Sequence, residues 1–179
     1  MNIFYLDEDY KVAAKQHLDK HVVKMIIEYA QLMSTAHRVL DGTQWYDKTA
    51  AGRRIARWEH PNRELDQILY KASHINHPSG IWVRESFSNY IWLHALWEKL
   101  CAEYTYRYGK IHMTQQKLQH ILKTPPTNIP SGGMTKMPQA MPDEFKQKDS
   151  IEAYRQYYRV AKAKMAVWTK RETPEWYYV

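Results

Sequence analysis

Between Val22 and Met33 the chain reads V-V-K-M-I-I-E-Y-A-Q-L-M, and only Lys24, Glu28 and Gln31 are polar. At about 100° per residue these three fall in a stripe roughly 60° wide. Extending the same helix in both directions brings His17, His21, Thr35 and Arg38 onto or beside that line. The pattern predicts a first helix from about Tyr10 to Leu40, stopped by Asp41-Gly42 and apolar over most of its circumference. Its narrow polar stripe fits either a cleft or a solvent slot between neighbouring helices.

The helical period continues along the chain. Residues 41–58 read as a connector rich in small and basic residues. A shorter helix follows His60-Pro61-Asn62, with Asn62 as its cap, and runs to about Ser73. His77-Pro78-Ser79 opens a long helix from about Gly80 to Tyr108, ended by Gly109. Trp82, Phe87, Tyr90, Trp92 and Trp97 fall on more than one side of it, which predicts a central position in the core. Thr114 caps a short helix to about Leu122, and Asp149 with Glu152 opens a last helix over about Ser150 to Lys170. Residues 124–142 hold five of the eight prolines and the pair Gly132-Gly133, so they read as a long ordered loop or lid. Met134, Met137 and Met141 in it fit either a cover over an apolar pocket or plain packing across helix ends. The expected fold is all-α: one compact domain over 1–179, built around three long helices, with an aromatic tail at Trp176-Tyr177 packing back.

The formal net charge of +7, with seven Trp and fourteen Tyr, adds a partner to this picture. Basic groups attract phosphate and aromatic faces stack on unpaired bases, so DNA or a nucleotide is the expected ligand. No membrane partner is expected, because apolar runs are only a few residues long and no leader pattern is visible. Cys101, the only cysteine, reads as a buried small hydrophobe and fits a reducing cytoplasm.

Three constellations carry candidate chemistry. On the first helix, His17, His21, Lys24 and Glu28 form the catalytic candidates: Glu28 as general acid or base, and the histidines orienting or polarising a substrate. Lys24 reads as an anion contact or, if buried, as an amine nucleophile. The two histidines do not complete a metal ligand set, and neither a metal nor another cofactor is expected. At the start of the central helix, His77 and Arg84 suit a phosphate beside unpaired backbone N–H groups. Arg53, Arg54, Arg57 and Trp58, together with Arg38, supply further phosphate contacts.

Several short motifs add a resemblance. A-K-Q-H-L at Ala14–Leu18, the His-led start of the central helix, M-P-D-E-F at Met141–Phe145 and the aromatic finish resemble the phage-type pyrimidine-dimer DNA glycosylases of the endonuclease V type. D-K-H-V-V-K-M and M-P-D-E also resemble stretches of uncharacterised phage proteins. The resemblance implies a small helical DNA-repair enzyme working in the host-cell cytoplasm, whose N-terminal α-amine forms an imine with the sugar C1′. A glutamate on the first helix assists, while basic side chains grip a bent duplex. Lys24 stands at that glutamate's place, and Glu28 lies one turn further along the stripe. Cleavage of an N-glycosidic bond is therefore the first expectation. A metal-dependent phosphohydrolase or nuclease, and a non-enzymatic nucleotide- or partner-binding inhibitor, are the alternatives.

Overall fold

The computed structural model describes residues 1–179. It is mostly helical, with one small antiparallel sheet. The helices are α1 (Tyr10–Gln16), α2 (Asp19–Asp41), α3 (Arg63–Ile68), α4 (Pro78–Glu85), α5 (Phe87–Tyr108), α6 (Met113–Leu122) and α7 (Ser150–Ala161). Strands β1 (Thr43–Lys48) and β2 (Arg54–Glu59) form a hairpin between α2 and α3. Two helices are long rather than three, α2 and α5. They pack on each other, and their apolar faces belong to a cluster of 33 buried hydrophobic residues. No helix is long and apolar enough to cross a membrane.

The expected first helix is broken at His17-Leu18, both of which have extended backbone angles. The break survives because side chains take over the carbonyls it frees. Arg107 on α5 donates to Lys15 O and His17 O, Trp168 Nε1 donates to Gln16 O, and His17 Nδ1 bonds Ala13 O. Arg107 also pairs with Asp19 at the start of α2 and with Glu103, which Arg171 holds from its other side. A buried guanidinium thus clamps the corner between α1 and α2.

The expected central helix is likewise two helices. Ser86 is extended and caps α5, its Oγ accepting from Asn89 N and donating to Gly133 O. Gly109 ends α5 in the left-handed conformation at φ 68°, as its sequence position predicts. The cap of α6 is His112 rather than Thr114: the imidazole Nδ1 accepts from Thr114 N. The last helix stops at Ala161, well short of Lys170, and the helix after Asn62 ends at Ile68 rather than Ser73.

The proline-rich loop is a strap. Thr127 N and Asn128 N donate to the Asp41 carboxylate, Phe87 N donates to Pro130 O, and Asn89 pairs with Thr135 through both its main chain and its hydroxyl. Met137 and Met141 join the core, so packing across helix ends describes this segment better than a lid.

Candidate functional site

The polar stripe of α2 divides into three parts. Its C-terminal part is sheathed: residues 32–38 are all buried, Thr35 bonds the main chain of Ser73, and Arg38 reaches into the segment after α3. Arg38 donates to Tyr70 O, Trp58 O, Asp66 Oδ1, Asp66 O and Leu69 O. These five bonds use every N–H of a guanidinium. None is left for a phosphate, so Arg38 is a structural rivet and the expectation of a phosphate contact there is corrected.

The N-terminal histidines are also taken into the interior. His17 is fully buried and completely bonded: the Ala13 carbonyl requires a proton on Nδ1, leaving Nε2 to accept from Tyr29 Oη, which in turn accepts from Phe4 N. Burial lowers its pKa to about 4. His21 stacks on Phe4 with ring centroids 4.1 Å apart and contacts Tyr158 Oη at 2.6 Å; burial lowers its pKa to about 2. Both rings hold helices together and neither lines any of the five main cavities, contrary to the substrate-orienting role expected of them.

What stays open is the middle of the stripe. Lys24 projects into solvent and pairs with Glu28 at 3.1 Å; the burial that an amine nucleophile would need is not found at Lys24. Glu28 is only partly exposed, and Gln31, three residues on, lines a groove of about 610 Å³. The other wall of that groove is the exit strand of the hairpin, with Arg57 and Trp58, and the segment Lys71–Ile75. His74 in this segment has φ 51°, a left-handed conformation that side chains other than glycine rarely adopt. Arg84 braces it, Nη2 donating to Ile75 O, while Nη1 is buried with no partner. Burial lowers the Arg84 pKa.

His77 sits beyond His74 as the cap of α4, its Nδ1 accepting from Ser79 N. A neutral ring in that role carries its proton on Nε2. Its pKa is lowered by burial first, then by the N-terminal ammonium and the His74 ring, with Glu28 acting in the opposite direction. The chain start, Glu28 and His74 thus each lie near enough to His77 to act on its charge, although they come from separate parts of the sequence.

The connector expected over 41–58 is instead the hairpin, and every residue of β1 is exposed. Arg54 lies over the Tyr46 ring at 3.5 Å, Arg57 approaches Asp47 at 3.9 Å, and Arg53 is exposed beside the turn. Trp45 and Tyr46 are about half exposed. Basic and aromatic groups thus stand on a two-stranded ribbon that projects from the helical body.

Sequence reading missed a second cluster. His37 and Asp41 are one turn apart at the end of α2, and His60 follows the last residue of β2. Register makes the meeting: Thr43 pairs with Glu59, so the hairpin returns to its starting point. Gly42 permits this, since a Cβ there would lie 2.4 Å from Arg38 O and 2.8 Å from Glu59 O. The i, i+4 pair of His37 and Asp41 was readable in the sequence, whereas His60 needed the hairpin.

Comparison with known protein families, curated proteins and solved structures gives no match for this chain.

Proposed function

We propose that this chain is a phage-type DNA-processing enzyme that cleaves an N-glycosidic bond, with Glu28 as the general acid or base. The observation that carries the reading is the partly sheltered Glu28 carboxylate, three residues before Gln31 on α2, where Gln31 lines a groove walled by Arg57, Trp58, Lys71 and His74. A carboxylate beside cationic groups suits the reaction. Water activated by Glu28 adds to C1′, the C1′–N bond breaks, and the leaving base takes up a proton. His77, held neutral by its environment, serves as an Nε2–H donor to a phosphate or to the departing base. Arg53, Arg54 and Arg57, with the exposed aromatics of the ribbon, form the surface that receives DNA. The resemblance to the pyrimidine-dimer glycosylases supports the same assignment.

The test is base release from duplexes carrying pyrimidine dimers, uracil or alkylated bases, run with and without borohydride. Base release that falls by about 10²-fold or more in Glu28→Gln is expected. A borohydride-trapped adduct would assign the step to an amine, and release without an adduct would assign it to hydrolysis. No release from any of these duplexes, or an undiminished rate in Glu28→Gln, refutes the reading.

A further inference from the structure

We infer that His37, Asp41 and His60 form a binding site for a divalent cation of the zinc type, separate from the Glu28 groove. One donor atom from each of the three lies within 4.8 Å of the other two, and His60 Nε2 is 3.8 Å from Asp41 Oδ2. Two imidazoles and one carboxylate select first-row transition ions over magnesium or calcium, which favour all-oxygen sets. In a tetrahedral site with bonds of about 2.0–2.1 Å the donors stand roughly 3.3 Å apart, so the His60–Asp41 edge needs to contract by about half an ångström.

The pattern of satisfied and unsatisfied atoms points the same way. His37 and His60 are 3% and 6% exposed, yet His37 Nδ1 and His60 Nε2 are buried with no hydrogen-bond partner. Both belong to residues lining one cavity of about 660 Å³. The tautomer of His37 is fixed by its other nitrogen. Tyr90 Oη donates to Leu122 O and therefore accepts from His37 Nε2, which leaves the Nδ1 lone pair bare. The Thr124 carbonyl is close enough to favour the protonated ring, but it does not meet Nδ1 in hydrogen-bonding geometry. Asp41 is oriented by Thr127 N and Asn128 N, at 2.8 and 2.9 Å. Both groups thus have the outer partners that orient metal ligands.

His60 is the adjustable member. Its Nδ1 accepts from Asn62 N at 3.1 Å, so the neutral ring carries its proton on Nε2. Ligation through Nε2 moves that proton to Nδ1 and breaks the bond to Asn62 N. Loading the site therefore exchanges one main-chain hydrogen bond for a metal–nitrogen bond. Three protein ligands leave the fourth position facing the cavity, which is the arrangement of an open rather than a closed zinc site. Water or an anionic oxygen is the chemistry that position takes.

The experiment uses tag-free protein stripped with a chelator and titrated with Zn²⁺ by calorimetry and with Co²⁺ by visible absorption. One equivalent of each is expected, with the intense bands of four- or five-coordinate Co²⁺ and a rise in Tm on adding Zn²⁺. Asp41→Asn and His60→Gln are each expected to weaken binding by more than about tenfold. Asp41→Asn keeps an oxygen for the Thr127 or Asn128 N–H, and circular dichroism checks that both variants fold. If either fails to fold, the Co²⁺ spectrum of the unaltered chain decides. Absence of stoichiometric binding, a weak octahedral spectrum, or undiminished affinity in the folded variants overturns the proposal.

Discussion

Acidification from pH 7 to pH 5 should cost this protein a large part of its stability, because burial holds three histidines strongly in neutral form and lowers the pKa values of His77, His94 and His112 in the same direction. The perturbation acts on His17, His21 and His37, whose pKa values are lowered by burial to about 4, 2 and 4. In the unfolded chain each returns to about 6.5. A depressed folded pKa means stability that is fully present above pH 6.5 and lost as pH falls toward the folded value. At pH 5 the unfolded state has bound a proton at each site while the folded state has bound almost none. Each ring then removes about 2 kcal/mol, and the three together about 6 kcal/mol. That is comparable to the whole stability of an ordinary domain. Carboxylates do not confuse this window, since Glu103 and Asp66 have lowered pKa values and lose their contribution only at lower pH. Burial opposes both shifts; hydrogen bonds from Arg171 and Arg107 hold Glu103 low, and the His60 N–H with Arg38 holds Asp66 low. The assay is urea unfolding of chelator-stripped protein at pH 7, 6, 5 and 4, followed by circular dichroism. His21→Phe keeps the stack on Phe4 and removes one titrating ring. It should be less stable at pH 7, through loss of the Tyr158 contact, but its stability should fall by only about 4 kcal/mol between pH 7 and pH 5. A wild-type loss below about 2 kcal/mol, a loss confined to pH below 4.5, or an unchanged slope in His21→Phe would refute the linkage.

Other perturbations have equally definite outcomes. Arg107→Met leaves Asp19 and two main-chain carbonyls without their buried partner and should destabilise by about 3–5 kcal/mol in urea melts, with the loss persisting at high salt. Gly42→Ala forces a methyl into two backbone carbonyls, so a loss above about 2 kcal/mol is expected; a neutral result would contradict the close return of the hairpin. Replacing Arg54 and Arg57 by alanine should weaken duplex binding and lower the salt slope by about 2, with the Tm unchanged, as measured by fluorescence anisotropy over a salt series. Lys24→Ala should change stability by less than about 0.5 kcal/mol, because its pairing with Glu28 is solvent-exposed.

The parts of the fold legible in the sequence are those with local causes. Asn62 and Asp149 accept the N–H groups of their own first turns, and Gly109 supplies a left-handed residue where α5 ends. The break at His17 was invisible because the apolar period runs straight through it. What stabilises the corner is Arg107, some ninety residues away. The hairpin escaped for a different reason: β1 buries neither face, so T-Q-W-Y-D-K carries no alternation of apolar and polar positions. Several histidines also serve as scaffold. His77 and His112 cap helices through Nδ1, a role usually assigned to serine or aspartate, while His17 substitutes for a turn of main chain. Glu28, which the sequence places on the polar stripe, is a partly sheltered carboxylate in the structure. Its companions from the chain start and from α4 have no sequence signature linking them to it.

The hairpin leaves α2 and comes back to the same point, with Thr43 opposite Glu59 closing its base. Everything beyond that base, out to the turn at Gly52, can therefore lengthen or shorten two residues at a time while the helical body stays where it is. The ribbon is a module whose reach is separable from the core. A lineage carrying this fold can retune how far its basic arm extends, and the residues gathered at the foot of the arm keep their positions throughout.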